Sequence, residues 1–404
     1  MAHLRFPRAL LAIGLLLQAC ESKKEFENFE IAKWKTDLLE VAFTGASKYP
    51  IDPHIKSRSK TQSEVVDAAL ELDQPLIAQR YIASIANWRA GVGYADLALW
   101  CFENGFEPEC RRYLALAEER IEGAKSEGAG QGWRADRIRA HVARVYRLLE
   151  DDEQVAKFGK AIEEASEQVH LSKVLADTIP ASQFDDEIAR VERALETKEF
   201  DAIRAALTTC VHLYDRFYTD AAKREQLHAL VTESKTKLPL EIRIDFLLEL
   251  SDAASRHDDK DEAARIVKST TGLLHEGRWL PENEVPLRAR VAIAMARAGD
   301  PTRARSELET TEQFYEDKLD TIVDIYRGQC LRAIAEAWQA LGDHTRALAA
   351  YARAAEAGTL NPNSRPRADD LAATCCSLAI TNCEPDAALW KRLEEIRDGL
   401  GDPW

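Results

Sequence analysis

Eight cysteines and nine histidines are the side chains best able to bind a metal or attack a substrate, and their spacing points to neither. No C-x-x-C pair occurs, and the adjacent Cys375 and Cys376 are badly spaced for one zinc ion. The histidines make no H-x-x-x-H or H-E-x-x-H, so a zinc protease has no support. The acid-rich run from His257 to Glu262 lacks the central glycine and regular spacing of a calcium loop. It reads as a solvated turn with acids at a helix start, where the helix dipole favours them. The Asp pairs that begin at Asp151, Asp185 and Asp369 read the same way. Paired carboxylates can be the acid and base of glycoside hydrolysis, yet no spacing singles out a pair here. There is no glycine-rich phosphate loop and no G-x-S-x-G. The expectation is therefore no catalytic set, no metal and no cofactor.

The elements that must carry these residues are helical. The chain has 404 residues, 46% of them hydrophobic, and Ala, Leu, Glu and Arg dominate. No alternating Val/Ile/Thr run reads as a strand. A formal net charge of −15 disfavours nucleic acid as a partner. The most regular stretch runs from Cys330 to Gly358. Leu331, Ile334, Ala335 and Trp338 recur at helical spacing. Gly342-Asp343 interrupts them, and Ala347, Leu348, Tyr351, Ala354 and Ala355 resume the pattern. Two helices folded back on each other are expected. Gly358 is expected to stop the second in the left-handed conformation.

That hairpin resembles a tetratricopeptide repeat (TPR), with bulky, small and Gly residues at matching offsets. Aligned on Gly342, related units turn at Gly105, Asp258, Gly299 and, more weakly, Asn382. Degenerate units turn near Leu72-Asp73, Asp151-Asp152 and Lys198-Glu199. The motif W-R-A recurs at Trp88 and Trp133, in step with the turns that follow. The period of about 40 to 46 residues exceeds the 34 of the standard repeat. One hairpin cannot bury its own apolar faces, so the units are expected to stack as an all-α, TPR-like superhelical solenoid of antiparallel helix hairpins over residues 63–404.

The N-terminus reads as an address. Arg5 and Arg8 precede the apolar run Ala9 to Leu17, which is far short of the about 20 residues that span a bilayer. Leu17-Gln18-Ala19-Cys20 resembles the lipobox of bacterial lipoproteins. The resemblance implies a signal peptide over 1–19, acylation of Cys20, and a lipid-anchored protein of the cell envelope on the periplasmic or outer-surface side. Residues 20–62 are expected to be a tether with a first helix from Ile31 to Phe43, then a turn at Y-P-I-D-P, where two prolines exclude a helix interior.

In the TPR family the inner face of each first helix holds a partner peptide. Carried over by offset, that groove comprises Leu99, Phe102, Ala289, Ile293, Arg297, Arg332, Glu336 and Gln339. The alternative is that these residues pack against neighbouring repeats. Cys101 and Cys110 fall at offsets that touch across one hairpin of that family. The resemblance therefore implies either a disulfide in an oxidising compartment or two small buried hydrophobes. Cys375 and Cys383 flank a turn and face the same choice. The leading expectation is a non-catalytic scaffold or adaptor for a protein or peptide partner. An α/α-toroid hydrolase acting on glycans and a structural subunit of an envelope complex are the alternatives.

Overall fold

The computed structural model describes Phe26 and residues 29–404, apart from 128–129, 198 and 235–237. The signal segment 1–19, Cys20 and most of the tether lie outside the described residues. All regular structure among the described residues is helical. In chain order the first helices are α1 Lys33–Ser47, α2 Ile51–Glu71, α3 Pro75–Ala83, α4 Arg89–Glu103, α5 Glu107–Ser126, α6 Trp133–Leu148, α7 Asp152–Lys160, α8 Ala165–Leu175, α9 Phe184–Glu196 and α10 Phe200–Arg216. The rest are α11 Ala221–Ser234, α12 Leu240–Arg256, α13 Lys260–Glu276, α14 Pro281–Arg297, α15 Pro301–Lys318, α16 Asp324–Ala340, α17 His344–Gly358, α18 Ser364–Ile380 and α19 Ala387–Asp398. The expected first helix overlaps α1, and the expected turn begins at Tyr49-Pro50 and runs into the start of α2, where Asp52 and His54 depart from helical φ and ψ. Residue 62 lies inside α2.

Neighbouring helices pack in pairs, α4 with α5, α12 with α13, α14 with α15 and α16 with α17. The turn inside each pair is one device repeated. Asp73, Gly105, Glu150, Asp258, Gly299, Gly342 and Asn382 all have positive φ, between 57° and 96°. After each, the next residue's N–H reaches back five residues to a carbonyl: Phe106 to Cys101, Asp151 to Tyr146, Asp259 to Ala254, Asp300 to Met295, Asp343 to Trp338, Cys383 to Leu378 and Gln74 to Ala69. This is the Schellman closure, which satisfies carbonyls that a helix end would otherwise leave orphaned. The second helix then starts on an aspartate cap. Asp151, Asp259, Asp300 and Asp343 each accept the N–H three residues on. The acids at these turns thus have the local role that their positions imply, whereas Asp369 departs from that reading: it lies inside α18 and accepts hydrogen bonds from Tyr49 and Thr61.

Gly358 corrects the sequence reading. It is the last residue of α17 and is absent from the positive-φ set. A Cβ there would lie 3.0 Å from the Cβ of Asp370 on α18. Glycine is needed at this position for close approach between helices, while the left-handed turn is made sixteen residues earlier at Gly342.

The even-numbered helices touch one another in series from α2 to α18, and each odd-numbered helix packs on the row. The order of neighbours is cyclic, because α18 also touches α2. The contact is sealed by α1, which lies along α18 as α17 lies along α16. Leu38, Leu39, Val41, Ala42 and Phe43 of α1 are buried in the same apolar cluster as Leu371, Ala372, Cys375 and Leu378 of α18. Polar groups fix the register. Lys48 Nζ donates to the carbonyls of Arg397 (2.6 Å) and Asp398 (3.1 Å), at the negative end of α19. The fully buried Tyr49 has its hydroxyl 2.6 Å from both the Arg365 carbonyl and Asp369 Oδ1. Tyr49→Phe keeps the ring and removes the hydroxyl. It is expected to cost about 2 kcal/mol, the scale of a hydrogen bond to a charged group, read as a lower urea midpoint at unchanged slope.

Candidate functional site

The carried-over groove positions fall mostly on seams between repeats. Leu99 and Ala289 are buried in the main core, and Phe102 and Ile293 pack against it. Arg297 bonds Asp252 of α12 at 2.8 Å. Arg332 is 5% exposed and reaches Asp370 (3.2 Å) and Thr374 (3.5 Å) of α18. Glu336 accepts from Ser377 at 2.6 Å, and Gln339 Nε2 donates to the Asn382 carbonyl at 3.1 Å. The α16 trio therefore zips α16 to α18. The seven described cysteines are buried free thiols, Cys101, Cys110, Cys375 and Cys383 among them. Burial pushes the Cys110 thiol up to about 11 and that of Cys101 higher still.

A different set converges on the even-numbered helices. Asp96 lies on α4, Arg137 and His141 on α6, and Glu167, His170 and Lys173 on α8. His141 Nδ1 is 2.9 Å from Asp96 Oδ1, and His141 Nε2 is 3.1 Å from His170 Nε2. Beside this chain Arg137 grips Glu167 through two bonds of 2.5 and 2.7 Å, the bidentate geometry that a planar guanidinium favours. One of the two rings donates across the His141–His170 contact, as their tautomers dictate. His170 itself stays neutral. Its charged form is disfavoured first by burial and then by His141, Arg137 and Lys173, which together push its pKa down to about 2.

Lys173 and Glu249 of α12 feel each other although α10 lies between their helices. Burial lowers Lys173, and Glu249 partly offsets this. Glu249 is pushed up to about 7 by burial and then by Asp245, against Lys173 and Arg290. On the same face Arg290 bonds Asp245 at 2.6 Å. The result is a belt of half-buried charge running over α4, α6, α8, α12 and α14. No group of three or more His, Cys, Asp or Glu among the described residues is arranged to hold a metal ion.

No short motif announces this belt because its members come from different repeats. The one signal in the sequence is the period. Asp96 and His141 each follow a W-R-A tryptophan by eight residues, and the two are 45 apart. The pairs Asp245–Arg290 and Asp252–Arg297 are also 45 apart. Equivalent positions of adjacent repeats meet side by side, so charges of opposite sign at one period are candidate partners. No protein-family model matches the chain, and no curated protein sequence matches it.

Proposed function

We propose that this chain is a non-catalytic binding scaffold, a TPR-like solenoid whose concave face takes a protein or peptide partner. The observation that carries the reading is the charged belt on the even-numbered helices, where Asp96, His141 and His170 meet across α4, α6 and α8 beside the Arg137–Glu167 pair. Half-buried charge is costly to keep on a face with no ligand, and a polar partner would repay it. In this reading Cys20 anchors the chain to an envelope membrane and the tether presents the scaffold on the periplasmic or outer-surface side. The test is crosslinking in cells followed by capture from the membrane fraction. Recovery of one protein in stoichiometric amount supports the scaffold; recovery of none, with turnover detected instead, removes it. Recovery inside a fixed multi-subunit particle would favour a structural envelope subunit. A second reading is favoured by the cyclic order of the helices together with a carboxyl titrating near neutrality at Glu249. It is an α/α-toroid hydrolase acting on glycans, with Glu249 as acid or base.

A further inference from the structure

The duplicated W-R-A motif is used by neither the turns nor the Asp96 chain. It comes together in space at the starts of α4 and α6. Trp88 and Trp133 meet edge to face with centroids 5.1 Å apart. The Arg89 guanidinium stacks on Trp88 at 4.6 Å, and that of Arg134 lies over Trp133 at 5.8 Å. Neither cation is fully matched. Arg134 is 6% exposed; its Nη1 reaches Glu127 Oε2 at 3.3 Å and the Glu127 carbonyl at 3.2 Å, while its Nε is buried without a partner. Arg89 is half-buried and its guanidinium makes no hydrogen bond or ion pair among the described residues. Burial is the first cause that lowers its pKa, and Arg134 and Arg137 repel it further.

The local charges leave a surplus. Glu64 faces Arg89 from α2 but already pairs with Lys60 at 2.9 Å. Arg137 is taken by Glu167. Glu127 alone remains for Arg89 and Arg134, and residues 128–129 are Gly and Ala and bring no charge. A single positive charge is thus uncompensated in a half-buried corner of a chain whose net charge is −15. The starts of α4 and α6 bring their positive dipole ends to this corner, although their first N–H groups are already taken by Asn87 Oδ1 and by the carbonyls of Asn87, Trp88, Gln131 and Gly132.

From these contacts we propose that Arg89 and Arg134, framed by Trp88 and Trp133, form a binding subsite for a carboxylate or phosphate group of a ligand. Arg89 supplies an unoccupied fork of donors, Arg134 supplies a second positive charge beside it, and the Trp88 indole holds the Arg89 guanidinium flat for bidentate contact. The proposal deepens the scaffold reading by naming the chemical group that the partner offers at this end of the concave face.

The test is a thermal-shift titration of the full chain with inorganic phosphate and, separately, with succinate, at ionic strength held constant by chloride. A saturable rise in Tm of several degrees with either anion is expected, and the arm that saturates at lower concentration names the preferred group. Arg89→Gln is expected to raise the half-saturating concentration at least tenfold. Its basal Tm should stay near that of wild type, because Arg89 makes no hydrogen bond to lose. Isothermal titration of the same two proteins with phosphate provides a readout independent of folding. No saturable effect in wild type, or an equal one in Arg89→Gln, overturns the subsite. A phosphate effect that Arg89→Gln abolishes, with no protein captured from cells, keeps the subsite and drops the scaffold.

Discussion

Trp338→Ala is expected to destabilise the protein by about 3–5 kcal/mol, the range for removing a fully buried aromatic, seen as a large fall in the denaturant midpoint. Trp338 is 0% exposed and is the largest fully buried side chain of the fold. It sits where α16 turns into α17, and its carbonyl accepts the Asp343 N–H that closes the turn. Its Nε1 donates to Glu312 of α15 at 2.8 Å, so the ring joins two repeats. Arg346 and Arg305 cover its face at 4.1 and 5.2 Å. Truncation opens a cavity, removes the indole donor to Glu312 and strips both guanidinia of their platform. Leu280→Ala is the matched control. Leu280 is 62% exposed, and its loss should change stability by less than about 0.5 kcal/mol. A midpoint for Trp338→Ala no lower than that of the control would mean that this hairpin does not carry the core.

The local half of the fold is legible in the sequence and the global half is not. Gly342, Gly299, Gly105, Asp258 and Asn382 identify turns because a left-handed residue is demanded by the closure itself. Trp338 and Tyr351 identify core because their spacing puts them on one helical face. Closure of the row by α1 is invisible at that level. It depends on the small rotation from each repeat to the next, summed over the whole array. The same α1 sequence would read identically as a loose first helix. Gly45 shows the difference, since a Cβ there would meet Leu371 Cδ2 at 3.1 Å, across more than three hundred residues of chain. The groove positions meet the same limit. Arg332, Glu336 and Gln339 are polar and lie on a first helix, as a binding face would, yet each is spent on α18. Sequence alone does not separate a side chain facing the next repeat from one facing the concave space. That depends on helix length and crossing angle, which the long period alters.

Glu249→Gln is expected to make the protein more stable than wild type at pH 8 while leaving it near wild type at pH 4. Burial first, and Asp245 second, push the Glu249 carboxyl from 4.5 to about 7. At roughly 1.4 kcal/mol per pH unit, that amounts to about 3 kcal/mol. The folded protein holds this proton more tightly than the unfolded chain. The contribution is therefore fully present below pH 4.5 and is lost as pH rises through about 7. His170 runs the other way. Its folded pKa is pushed from 6.5 down to about 2, so the unfolded chain binds that proton more readily and stability falls as pH drops below 6.5. Between pH 4.5 and 6.5 the two slopes oppose each other. Gln carries the neutral side chain at every pH and removes only the Glu249 slope, so the variant should pull ahead of wild type by about 3 kcal/mol as pH rises from 4.5 through about 7. The gap over wild type should keep widening until Glu249 is fully ionised near pH 8. Urea midpoints taken at unit steps from pH 4 to 8 measure it directly. Parallel profiles for the two proteins would mean that Glu249 is solvated, and the charged belt would lose the residue that most distinguishes it from an ordinary charged surface.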